Sequence, residues 1–107
     1  MEVQDLKVES ASVFVTNANQ ENAKYRISSH FNTRKGILTR IDNGNVLNIE
    51  ENETVARFSK YLEDGKSYSV NYYGKAVDNT ELQCEINEFI YEYITLGEAK
   101  SNKEINE

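Results

Sequence analysis

Lys24, Arg26, Arg34, Lys35 and Arg40 fall within residues 22–41, a stretch with no acidic residue, in a chain whose formal net charge is −6. Cations gathered in this way suit an anionic ligand, above all nucleic acid. An acidic body repels a polyanion at long range, but screening confines that repulsion to about 8 Å at physiological salt, so a local basic surface still binds at contact. The alternative is a solvated cationic face that balances acidic neighbours. His30 lies in the same stretch, and Tyr73 is a second aromatic side chain on which a base can stack. The five cations are therefore candidates for phosphate contacts, and His30 and Tyr73 for stacking.

Other chemistries lack their residues. His30 is the single histidine and Cys84 the single cysteine, which excludes a two-histidine metal motif, a cysteine cluster and an internal disulfide. The chain carries no glycine-rich phosphate loop, no Gly-x-Ser-x-Gly and no Cys-x-x-Cys. Glu85, Glu88 and Glu92 read as a solvated strand face, because nothing around them would set paired carboxyl pKa values apart. Cys84 alternates with Leu82 and Ile86 and reads as a small buried hydrophobe. The expectation is a protein that is not an enzyme and needs no metal or cofactor.

The elements that must position these residues are mostly strands. Residues 3–15 read as a long strand and 16–22 as a polar loop. In 23–31, Tyr25, Ile27, Ser29 and Phe31 share one parity and Lys24, Arg26, Ser28 and His30 the other, as in a strand with one apolar and one cationic face. Residues 32–36 read as a basic loop, and 37–41 and 45–50 as strands joined by a turn at Asp42-Asn43-Gly44. Asn52 suits a helix N-cap, and Val55, Phe58 and Leu62 then fall on one helical face, so 53–63 reads as the single helix. Residues 67–73 and 82–95 read as strands. A domain over 1–96 and a polar, disordered tail over 97–107 complete the reading.

Size agrees with a single small core: 107 residues, of which 38% are hydrophobic, with a mean hydropathy of −0.69. No stretch approaches the ~20 apolar residues of a membrane helix, and the opening MEVQDLKVES lacks the pattern of a signal peptide, so the expected location is cytoplasmic with no membrane partner. Thirteen asparagines beside abundant Lys, Ile and Glu fit an AT-rich genome, such as a low-GC bacterium, its phage or a mobile element.

Three strands, a helix and two further strands form the order of an OB-like barrel. The passage FSKYLEDGKSYSVNYYGK (58–75), through Leu62, Gly65, Lys66, Tyr68, Val70 and Gly74, resembles the helix-to-strand passage of single-stranded-DNA-binding OB-fold proteins. That resemblance, over about 75 residues, implies a mainly β, five- to six-stranded antiparallel barrel with one helix between strands 3 and 4. It also implies a strand 2–3 face that binds single-stranded nucleic acid. The structural competitor is a small sandwich or roll with the helix packed at one end. The functional competitor is a protein-interaction module, a phage-encoded inhibitor or assembly subunit, using an acidic, tyrosine-rich β surface. Edge strands could also pair two copies into a homodimer.

Overall fold

The alternation read over 23–31 is kept from Tyr25 onward and runs on to Arg34, so Asn32, Thr33 and Arg34 belong to a strand and not to the expected basic loop: every second side chain from Tyr25 to Thr33 is buried, and those between are half-buried or exposed. The computed structural model describes residues 15–34, 37–63 and 66–105. The elements are β1 (Val15–Glu21), β2 (Tyr25–Arg34), β3 (Ile37–Asn48), β4 (Glu53–Tyr61), β5 (Tyr68–Tyr72), a 3-10 turn (Gly74–Ala76) and α1 (Thr80–Ile105). The strands form one antiparallel sheet in the order β1-β2-β3-β4-β5. The fold is thus mainly β, as expected, but the sheet is not closed into a barrel. The helix follows β5 instead of lying between the third and fourth strands.

Both corrections have a local cause. In β4 the register against β3 slips between Val46 and Leu47, which pair with Ala56 and Thr54. Val55 is the extra residue of this bulge, so Val55 and Ala56 are both buried. The slip breaks the period of two and leaves Val55 and Phe58 within the strand, and Leu62 just beyond it, at a helix-like spacing. Asn52, which suits a helix N-cap, instead takes φ 53° in the β3–β4 turn.

Residues 82–95 are the reverse case. Their apparent strand alternation conceals a helical strip in which Ile86, Phe89, Ile90, Tyr93 and Ile94 are all buried. Asn79 caps the helix, its Oδ1 accepting from the Leu82 N–H at 3.0 Å, with Glu81 in the first turn, where the helix dipole favours an anion. Cys84 lies off the buried strip and is exposed, not buried. The stretch 97–105, read from sequence as part of a polar tail, continues α1.

Polar turn-type residues also conceal strands. TNANQE lies in β1, paired with β2 from Val15↔Asn32 to Glu21↔Arg26, so the loop expected over 16–22 is mostly strand. Of the strand expected over 3–15, all but Val15 lies outside the described residues. Asp42-Asn43-Gly44 makes no hairpin turn; it is a bulge within β3, with Asn43 at φ 53° and a register slip between Ile41 and Gly44. Gly44 is required because the Phe58 ring lies across it: a Cβ there would sit 2.5 Å from Phe58 Cε1.

The core lies between α1 and one face of the sheet. Tyr93 stands at its centre, edge-on to Phe31 (ring centroids 5.6 Å apart) and to Phe58 (6.1 Å). Its Oη donates to the Ala18 carbonyl at 2.9 Å. Since a phenol has one proton, the Ser29 hydroxyl must donate to Tyr93 Oη in turn. One helical side chain thereby satisfies polar groups on β1 and β2 while filling the aromatic core.

Two outcomes follow for stability. Tyr93→Phe strands the Ala18 carbonyl and the Ser29 hydroxyl and should cost about 1–3 kcal/mol in urea denaturation at neutral pH. Burial also holds the Tyr93 phenol above its ordinary value. The native state then keeps a proton that the unfolded chain loses, so native stability declines as pH rises beyond about 10. Tyr93→Phe should flatten that decline without abolishing it, because burial raises Tyr25 in the same direction. Gly44→Ala forces a methyl against Phe58 and should cost about 1–3 kcal/mol; combining it with Phe58→Leu should cost less than the two single changes added together.

Candidate functional site

With α1 covering one face, no other described element covers the opposite face of the sheet, and that face is mostly polar, with Leu47, in register with Arg26, an apolar exception. Asn19 and Glu21 on β1, Arg26, Ser28, His30, Asn32 and Arg34 on β2, Arg40, Asp42 and Asn45 on β3, Arg57, Ser59 and Tyr61 on β4, and Asn71 on β5 occupy the parity opposite the core. Strands in such a sheet are about 4.8 Å apart, so these side chains form a lattice of donors and rings over five strands.

Most of the candidates read from sequence meet on this face. Arg26 is exposed at the β1 edge, its Nε 2.8 Å from Glu21 Oε2. His30 is exposed in the middle of β2, in register with Asn17 on one side and Asp42 on the other. Arg34 ends β2, with Nη2 3.9 Å from Glu63 Oε1. Arg40 Nε lies 2.7 Å from Asp42 Oδ2, the oxygen that also accepts from Asn32 Nδ2 at 2.9 Å. Tyr73, just beyond β5, lies under the Arg57 guanidinium, 5.7 Å from its centroid.

Lys24 does not join them. It sits in the β1–β2 turn, where Asn22 Oδ1 accepts from the Lys24 and Tyr25 N–H groups, each at 2.8 Å. Its Nζ reaches Glu85 on α1 at 2.9 Å, and this hydrogen bond raises the Lys24 pKa. Glu85 is therefore a helical ion-pair partner, not part of a strand face. Lys35 lies outside the described residues.

Two side chains of this face escape a reading of 53–63 as a helix: Arg57 and Tyr61. Arg57 has no carboxylate partner among the described residues. Tyr61 carries the Arg40 guanidinium over its ring at 5.5 Å. Their signal is the alternation of Arg57, Ser59 and Tyr61 with Ala56, Phe58 and Lys60, visible once Val55 is set aside as a bulge.

The electrostatics of the face are mixed. Arg26, Arg34 and Arg40 each approach a carboxylate, but exposed pairs of this kind are worth only about 0–1 kcal/mol. Each guanidinium has five N–H donors, so an incoming anion can share or replace the carboxylate. Around Arg57 lies a shallow depression of about 380 Å³ bordered by Asp42, Asn45, Ser59 and Asn71. A second, of about 370 Å³, is bordered by Asn32, Arg34, Arg40 and Tyr61. Both offer amide, hydroxyl and guanidinium groups beside an aromatic ring or on the path to one. Among the described residues no group of His, Cys, Asp and Glu side chains converges so as to hold a metal ion, and no helix is long and apolar enough to cross a membrane.

Comparison with known proteins finds no matching family model, no matching curated protein and no matching solved structure, so the geometry of this face carries the functional argument alone.

Proposed function

We propose that the open sheet face binds single-stranded nucleic acid without catalysing a reaction. The observation that carries this reading is the pair of arginine–tyrosine stacks, Arg40 on Tyr61 and Arg57 on Tyr73, on the face that α1 leaves bare. A single strand exposes the flat faces and hydrogen-bonding edges of its bases as well as its phosphates. Sheet surfaces bind such strands by stacking bases on aromatic rings and guanidinium planes. Here Tyr61, Tyr73 and His30 supply rings. Arg26, Arg34, Arg40 and Arg57 reach phosphates, and Asn32, Asn45, Ser59 and Asn71 present groups that match base edges.

The charge balance sets the expected strength. Three of the four arginines share their charge with Glu21, Glu63 and Asp42, and the whole chain carries −6. Binding is therefore expected in the micromolar range and only at modest salt. If about three phosphates are engaged, log Kd should change with log salt at a slope near 2 in magnitude.

A protein partner is the second reading. What favours it is that the arginines stand paired with acids beside exposed tyrosines, a mixed-charge surface common at protein interfaces.

Fluorescence anisotropy with labelled oligo-dT and oligo-U separates the two. Saturable binding at ~50 mM salt, weakening as salt rises, is the expected result; no binding at that salt rejects the nucleic-acid reading. Arg57→Glu and Arg40→Glu should each weaken binding about tenfold, equivalent to about 1.4 kcal/mol. Lys24→Glu, on the helix side, should change it less than about twofold. Capture of a host protein that persists after nuclease treatment, with no oligonucleotide binding, would favour the second reading.

A further inference from the structure

On the other side of the sheet, where the middle of α1 passes the end of β4 and the start of β5, there is a cleft of about 480 Å³. That is within the usual range of small-molecule sites. Its walls are mostly apolar: Leu62, Tyr68, Ile90 and Ile94, with the strongly exposed Tyr91 at one side. Its polar groups divide into two kinds. Tyr68 Oη donates to Asn87 Oδ1 at 3.0 Å, and Asn87 Nδ2 donates to Tyr72 Oη, so these groups satisfy one another.

Lys60 and Lys66 are different. Lys60 Nζ donates one proton to the Lys66 carbonyl at 3.3 Å and lies 6.0 Å from the Tyr68 ring centroid. Lys66 holds φ 48°, a conformation seldom taken by a side-chain-bearing residue. Neither lysine has a carboxylate partner among the described residues. Glu98, on the helix side, is the one acid lining the cleft among the described residues.

We propose that this cleft binds a small amphipathic carboxylate, its apolar tail against Leu62, Ile90 and Ile94 and its head at Lys60 and Lys66. Two ammonium groups against one carboxylate select an anion over a cation, and the apolar walls select a tail over a polyphosphate. The site is separate from the open face and does not depend on what binds there.

The test is an amide-shift titration of the full chain by NMR, using octanoate, decanoate and octanol below their aggregation limits. Saturable shifts are expected at Leu62, Lys66, Asn87 and Tyr91, with Arg26, His30 and Arg57 unmoved. Affinity should rise about fourfold for each added methylene. Octanol should bind several-fold more weakly than octanoate. Lys66→Glu, at an exposed position, should weaken octanoate at least fivefold while leaving the rest of the spectrum in place, and Glu98→Lys should strengthen it. No saturable shift at millimolar octanoate, equal affinity for octanol, or an unchanged affinity in Lys66→Glu would overturn the proposal. Oligonucleotide binding is read separately, so either site can fail without the other.

Discussion

The structure depends on one helix having to cover one face of one sheet. A five-stranded antiparallel meander needs an apolar partner on at least one side, and α1 is the single long helix among the described elements. Tyr93 ties the two layers together. Its ring meets Phe31 and Phe58, and its hydroxyl bridges β1 and β2 through Ala18 and Ser29. Gly97 extends the close approach: a Cβ there would lie 2.6 Å from Phe31 Cζ, so the helix seats against β2 only because that position has no side chain. Once the buried side chains are committed to this interface, the opposite face is left mostly to polar side chains.

That division creates two surfaces of different chemistry. The open face is broad, hydrophilic and built from short-range pairs: guanidinium to carboxylate, guanidinium to ring, amide to carboxylate. Such pairs are weak in water, which makes them exchangeable with the groups of a ligand. The helix side is narrow and apolar, and it opens as a cleft where α1 passes the end of β4 and the start of β5. Lysine appears at that cleft and arginine on the open face, consistent with a point charge at a pocket and a planar fork on a flat surface.

Bulges shape both surfaces. The slip at Asn43 and Gly44 lets the Phe58 ring lie over the β3 backbone. The slip between Asn32 and Thr33, against Arg40 and Leu38, keeps Arg40 and Asp42 on the open side while Leu38 and Ile41 remain in the core. The slip at Val55 does the same for Arg57, Ser59 and Tyr61. Without these single-residue insertions, each strand would turn its polar side chains into the helix layer midway along its length.

The amino-acid pattern alone determined most of β2 and the identity of its two faces, since the alternation over 23–31 admits one reading, but not that the strand runs on through Asn32, Thr33 and Arg34. It also determined β5, the cationic character of residues 24–40, and the placing of Tyr25, Ile27 and Phe31 in the core. The class of β4 and α1 was decided by tertiary structure. A bulge makes a strand's apolar residues recur every three or four positions, and glutamates at alternate positions make a half-buried helix look like a strand. The open face was legible only in part: Arg26 and His30 follow from the alternation over 23–31, whereas Arg34 falls in a stretch that reads as a loop, and the alternation that carries Arg57 and Tyr61 is hidden by the bulge at Val55. Lys24 shares the parity of Arg26, yet Glu85, sixty-one residues along the chain, holds it on the helix side. Charge is written in composition, but the face on which a charge stands is settled by which distant residue it meets.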